Sequence, residues 1–355
     1  MSTRSVNATV ASLTRLSLNP VVVASFLWAL TRGPASFRYR LVNTFTSLRD
    51  PSTYAQFVKT LKWILAIRVA GIANGVLNKL ALNSWRLNNE KSRWDFRKEV
   101  AVITGGCSGI GALVTKRLIN KGVKVAVLDI QQLPPELQGY ANIRFFACDI
   151  TKASDVNSAA NSVRETLGAP SILINNAGTG GCRTIMNTDP EALRKVMDVN
   201  LLSHWYTVQA FVPSMIEKNK GHIMTIASSA SYLGLGGMTD YCATKAGVLA
   251  FHEGLNQELR IKYKAPNVLT TIVHPTWSKT PLIKPFEESL KAAGNPLLEP
   301  SFIADAIADR VFTCSGGQIF LPDDVSRATG IRFWPSWLQE KVRESHSRMV
   351  LRGAL

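Results

Sequence analysis

The chain has 355 residues, 46% apolar and 19% charged, which excludes disorder throughout and leaves room for one large core with appended segments. Its net charge of +16 sits at the ends: residues 1–99 hold 15 Lys+Arg against 4 Asp+Glu, residues 326–355 hold 6 against 2, and residues 100–325 are nearly balanced at 20 against 19. With no recognisable nucleic-acid-binding motif, this placement argues against nucleic acid as a partner; it suits an anionic membrane surface, a solvated basic face or a targeting sequence.

No acidic residue occurs before Asp50, while Arg4, Arg15, Arg32, Arg38 and Arg40 are scattered among Ser and Thr, a composition that fits a mitochondrial transit peptide. The same region holds an apolar run from Pro20 to Leu30, too short for a simple bilayer span. A second apolar stretch, Leu61 to Leu82, is interrupted by Lys62, Arg68, Asn74, Asn78 and Lys79. Those groups would be costly at hydrocarbon depth, so we expect a helix lying in the membrane interface, with Trp63 and Trp85 near its ends, or one packed against the protein body. The tail from Arg332 to Leu338 again sets aromatic beside basic residues, which suits membrane contact or an aromatic cluster closing a pocket or a dimer seam.

From Glu99 the pattern changes to short apolar runs, EVAVITGG, VKVAVLDI, IRFFACDI, SILINNAG, HIMTIASS, VLTTIVHP and GQIFLPD, separated by segments of helical length. Such runs call for a parallel sheet covered on both faces, and so for a doubly wound α/β domain with seven strands. The organisation expected is an extension at 1–95, a catalytic domain at 96–325 and a basic aromatic tail at 326–355.

The first run leads into Gly105, Gly106, Cys107, Ser108, Gly109, Ile110 and Gly111 before a helical segment. Glycines there let the chain turn tightly and bring backbone N–H groups and a helix N-terminus against a pyrophosphate. Asp129 closes the second run, 18 residues beyond Gly111, where a carboxylate accepts from a ribose diol and repels a 2′-phosphate, so NAD is favoured over NADP. Tyr241 and Lys245 are four apart in a helical stretch and project from one face. A phenol with an ordinary pKa of about 10 is a poor acid-base catalyst at neutral pH, and a neighbouring ammonium together with a positive nicotinamide ring is expected to pull it down. Five cysteines (Cys107, Cys148, Cys182, Cys242, Cys314) form neither a disulfide framework nor metal-ligand spacing, and are read as reduced thiols.

These residues resemble the short-chain dehydrogenase/reductase family: TGxxxGxG from Thr104 to Gly111, CDI ending the third run, NNAG from Asn175 to Gly178, and Asn, Ser, Tyr and Lys in order at Asn200, Ser228, Tyr241 and Lys245. The resemblance implies an NAD(P)-dependent Rossmann-fold enzyme. In it Gly105, Ser108, Gly109, Ile110, Gly111, Asp129 and Asp149 hold the nucleotide, together with Asn176, Tyr241, Lys245 and Thr280. By the same resemblance Ser228 polarises the substrate oxygen, Tyr241 moves its proton, Lys245 positions the ribose and lowers the tyrosine pKa, and Asn200 anchors a relay water. Ser228 is preferred to Ser229 because its spacing to Gly234 and Tyr241 fits the family pattern. The usual PGxxxT is here Pro275, Thr276, Trp277, Ser278, Lys279 and Thr280, and His274 is read as a packing residue.

The stretch from Trp277 to Pro300 stands where the family has a mobile lid, and Trp277, Leu282, Ile283 and Phe286 would suit a bulky lipophilic substrate or simply pack the lid. Among branches the chain most resembles the membrane-associated one that includes retinol and 17-beta-hydroxysteroid dehydrogenases. That implies a homodimer acting on a retinoid, steroid or long-chain alcohol at the endoplasmic reticulum or a lipid droplet. The alternatives are a ketoreductase for acyl chains or secondary metabolites, mitochondrial by its N-terminus, and a nucleotide-binding scaffold.

Overall fold

The structure is a computed structural model that describes residues 19–87, 90–292 and 294–352, without the side chains of residues 285, 286, 327, 328 and 352. The segment around Arg4 and Arg15 and the Phe286 side chain therefore lie outside the described residues. Two compact units emerge, Met1–Ala81 and Leu82–Leu355.

In the first unit, helix α1 (Pro20–Thr31) starts where Asn19 accepts from Val21 N at 2.9 Å, with Pro20 in the first turn. Helix α2 (Ala35–Thr44) follows, then α3 (Pro51–Leu82). Helix α3 begins ten residues before the expected Leu61 because Asp50 caps it, accepting from Thr53 N at 2.8 Å, and Pro51 opens the first turn. Trp63 consequently lies well inside the helix and not near its end. Val23, Leu30 and Leu61 form a small core with Phe26, Phe57 and Ile64 packed on it. Leu61 is the one buried residue of α3; Ile67, Ile72 and Val76 are more than half exposed. At 32 residues, α3 is about 48 Å long and exceeds a hydrocarbon core of roughly 30 Å. Among the described residues it is the one helix long and apolar enough to cross a membrane.

The second unit is a seven-stranded sheet in the order β3-β2-β1-β4-β5-β6-β7. The strands are β1 (Val100–Thr104), β2 (Lys124–Asp129), β3 (Ile143–Ala147), β4 (Ile172–Asn175), β5 (Gly221–Ile226), β6 (Val268–Pro275) and β7 (Gly317–Leu321), and every pairing is parallel. The central register sets Val102 between Ala126 and Leu173. Connecting them are α4 (Gly109–Asn120), α5 (Ala153–Thr166), α6 (Pro190–Met197), α7 (Ser203–Phe211), α8 (Pro213–Glu217), α9 (Thr239–Ile261), α10 (Glu287–Ala292) and α11 (Pro300–Phe312).

Alternation along the strands sends side chains to opposite faces. Ile103, Val127 and Ile174 pack with Val114 and Leu118 of α4 and Ile303 and Ile307 of α11. Val102, Leu128 and Leu173 pack with Val156 and Val163 of α5 and Leu255 and Leu259 of α9. Each such side chain, removed fully from water, contributes about 1.5–3 kcal/mol. The strand order reverses between β1 and β4, so a crevice opens beyond their C-terminal ends.

The tail continues as a 3₁₀ stretch, Asp323–Phe333, and helix α12 (Ser336–Arg352). Met349 and Val350 of α12 are buried in a cluster with Leu235, Met238, Ile283 and Leu290, and Gly236 N donates to Ser347 Oγ at 2.9 Å.

Candidate active site

The glycine turn between β1 and α4 is fixed by sterics. Gly105 has φ +65°, where an L side chain is strained, and a Cβ on Gly111 would stand 2.0 Å from Gly105 O and 2.5 Å from Asn176 Nδ2. Asn176 Nδ2 donates to Thr104 O and Gly105 O, both at 3.1 Å, and Thr104 Oγ1 accepts from Asn176 N and Ala177 N at 3.1 Å. Thr104 thereby ties the two chain segments that flank the crevice, a role the glycine spacing alone does not reveal. Ser108 is the N-cap of α4 but makes no side-chain cap, so the first-turn N–H groups remain available to an anion. A turn stripped of Cβ atoms and an uncapped helix start together fit the pyrophosphate of a dinucleotide.

Asp129 is buried; its carboxylate accepts from Cys107 N and Gln131 N, both at 2.9 Å, and is held rigidly beside the turn. Asp149 accepts from Thr151 N at 3.1 Å and Thr151 Oγ1 at 2.7 Å.

Tyr241 lies in the first turn of α9 and Lys245 one turn later, its Nζ 5.5 Å from the Tyr241 ring centroid. Lys245 Nζ donates to Ile226 O at 2.9 Å, at the end of β5. Ser228, two residues further on, lies beside the Tyr241 phenol and favours its ionised form. Ser228 Oγ accepts from Ala230 N at 3.2 Å and lies 3.4 Å from Pro275 O at the end of β6. Burial pushes the Tyr241 phenol up to about 12, opposed by Ser228. Burial also pushes Lys245 down to about 8. In the protein alone desolvation sets the direction for the tyrosine, and the hydrogen bond of the ammonium goes to a carbonyl.

Asn200 occupies a π-helical turn, Asp198–Leu202, between α6 and α7, a distortion frequent at functional sites. It is fully buried; Nδ2 donates to Thr179 O at 2.7 Å and Oδ1 accepts from Thr179 N at 2.8 Å. Its side chain thus clamps the chain beyond β4.

One cavity of about 980 Å³ is lined by Gly105, Ser108, Gly109, Ile110, Asp129, Asp149, Asn176, Ser228, Tyr241, Lys245 and Thr280. Asn200 and Gly111 stand behind its wall. Away from the glycine turn the lining becomes Leu235, Met238, Trp277, Leu282 and Ile283, and the tail adds Ile331, Trp334, Val342 and His346. The tail's aromatic character in sequence leaves a pocket wall and a membrane face equally open, so its part in this wall is a finding of the structure. Thr276, which replaces the family's glycine, donates its N–H to Leu321 O at 2.9 Å and also lines the cavity. His274 is fully buried, stacked on Phe320 with centroids 4.9 Å apart, and donates from Nδ1 to Ser228 O at 3.0 Å. It packs, as expected, and steadies the Ser228 loop.

Residues 99–291 match the family described as short chain dehydrogenase. Dehydrogenase RED2 of Cochliobolus heterostrophus is 40% identical over 212 residues, 59% of this chain and 78% of that protein. Epidermal retinol dehydrogenase 2 of Mus musculus is 33% identical over 231 residues, 62% and 73% of the two chains. Estradiol 17-beta-dehydrogenase 11 of Pongo abelii is 31% identical over 245 residues, 67% and 80% of the two chains. Among solved structures, 3-ketoacyl-(acyl-carrier-protein) reductase from Brucella melitensis, complexed with NADH, shares the fold with a TM-score of 0.56 and 24% identity over 62% of this chain and 96% of that one. A glycine turn, an uncapped helix start and the Ser228–Tyr241–Lys245 group on one cavity agree with these likenesses, and the chain belongs to the short-chain dehydrogenase/reductase family, in its retinol and 17-beta-hydroxysteroid dehydrogenase-like branch, as an NAD(P)-dependent oxidoreductase of CH–OH donors.

Proposed function

We propose that the protein interconverts an alcohol and a carbonyl on a lipophilic substrate, of retinoid, steroid or long-chain type, with NAD as the preferred cofactor. The observation that carries this reading is the single cavity that joins the Ser228–Tyr241 pair to an apolar wall built by Leu235, Met238, Trp277, Ile283 and Trp334. Two of the relatives are named for retinol and estradiol.

In the oxidation direction Ser228 orients the substrate hydroxyl and Tyr241, as the phenolate, takes its proton. A nicotinamide held in the cavity would supply a hydride acceptor and, in its oxidised form, positive charge beside the phenol. Lys245 would add to that charge and hold the ribose, lowering the phenol from its desolvated value toward the working range. Asn200 clamps Thr179 and keeps the floor of the site in register with α9. Asp129 is a fixed negative charge that favours a ribose diol over a 2′-phosphate.

Helix α3 supports a membrane-associated protein: its exposed apolar length needs a cover, and the basic ends suit an anionic surface. The endoplasmic reticulum or a lipid droplet is the location we favour. Nicotinamide absorbance with detergent-solubilised protein, NAD or NADP and a panel of retinols, steroids, long-chain alcohols and a 3-ketoacyl thioester tests the substrate class. Turnover confined to the thioester would refute it.

A further inference from the structure

The tail brings to the cavity a polar group that the proton-transfer chemistry does not use. Val342 and His346 lie one turn apart on α12 and both line the cavity. His346 Nδ1 is 2.9 Å from Val342 O. A carbonyl oxygen only accepts, so Nδ1 carries the proton, and in the neutral ring Nε2 is left with its lone pair. Among the described residues the bond to Val342 is the one hydrogen bond the His346 imidazole makes, and no carboxylate pairs with it.

The cavity lining includes apolar Leu235, Met238 and Ile331 together with polar Asn295 and Asp324. Asn295, a lid amide at the cavity, donates to Met349 Sδ at 2.7 Å. A half-buried imidazole acceptor in this wall gains a hydrogen bond from a donor on the ligand, and an analogue lacking that donor leaves the acceptor unmatched. His346 lies beyond residue 291, where the match to the family model ends.

We propose that His346 Nε2 is an acceptor subsite for a second hydroxyl of the substrate, placed away from the reacting carbon. The preferred substrate is then a lipophilic diol or hydroxy-carbonyl compound, and not a simple alcohol ending in methyl. This inference rests on the reading that the cavity takes a lipophilic alcohol at Tyr241.

The test compares a homologous series of α,ω-diols with mono-alcohols of the same chain lengths, using the full-length detergent-solubilised enzyme with NAD. In the wild type the ratio of kcat/KM for diol over mono-alcohol peaks at one length. In His346→Phe that ratio falls about fivefold at the peak, through KM. His346→Gln, which retains an acceptor, restores it, and His346→Leu repeats the loss should the larger ring disturb folding. An equal ratio in wild type and Phe or Leu variants at every length overturns the subsite and leaves the substrate class standing. If the wild type oxidises neither series, the reading of the cavity falls and the subsite with it.

Discussion

Lys245 Nζ stands 5.5 Å from the centroid of the Tyr241 ring, yet its hydrogen bond goes to Ile226 O at 2.9 Å. Fixing the ammonium to the end of β5 holds it under the phenol without an ion pair. Both groups bear the cost of burial.

That cost predicts a pH dependence of stability. Lys245 titrates near 8 in the folded chain and at its ordinary 10.5 when unfolded. Between those values the unfolded chain binds the extra proton, so folding becomes more favourable as pH rises from 8 toward 10.5. Tyr241, raised from 10 to about 12, works oppositely above pH 10. We expect the melting temperature of the wild type relative to Lys245→Met to climb between pH 8 and 10; a constant difference would contradict the burial argument.

Gly111→Ala should disable the nucleotide site at its base. The added Cβ would meet Gly105 O at 2.0 Å, a backbone atom that cannot step aside without opening the turn. We expect NADH binding followed by fluorescence to be lost and stability to fall by about 3 kcal/mol or more. Unchanged binding would mean that the turn tolerates a looser form.

Asp129→Ser removes a charge while leaving an acceptor for Cys107 N. The kcat/KM preference for NAD over NADP should fall on the order of 10- to 100-fold, as expected from deleting a carboxylate close to a phosphate. A preference that does not move would relieve Asp129 of its selective role and leave it as the brace of the glycine turn.

Much of this architecture was legible in the residues. Each of the seven apolar runs overlaps an observed strand, and the five central strands are buried on both faces, which is why they read as nearly continuous apolar runs. The glycine turn and the Tyr241–Lys245 pair are read from their spacing together with the order of motifs that resembles the family. Helix α3 starts earlier than its apolar stretch, because the Asp50-Pro51 cap precedes the hydrophobic middle. The upward shift of Tyr241 in the protein alone comes from burial by neighbours distant in sequence, which the local residues do not show. The reach of the tail into the cavity was equally hidden: nothing local in Val342 or His346 says which wall α12 will meet.

That tail makes a further prediction. Met349 is buried against the lid cluster, and Met349→Ala should cost about 2–5 kcal/mol in the docking of α12 and raise KM for lipophilic substrates more than it lowers kcat. Kinetics identical to the wild type would show that α12 is dispensable to the pocket.

The central claim is proton transfer by Tyr241 inside a cavity shared by nicotinamide and a lipophilic alcohol. It is tested most directly by measuring NAD-dependent turnover and NADH affinity together in wild type and Tyr241→Phe. The account predicts turnover reduced by roughly 10²–10⁴ with NADH affinity nearly unchanged, since only the phenolic oxygen is removed. Turnover retained in the Phe variant would contradict it.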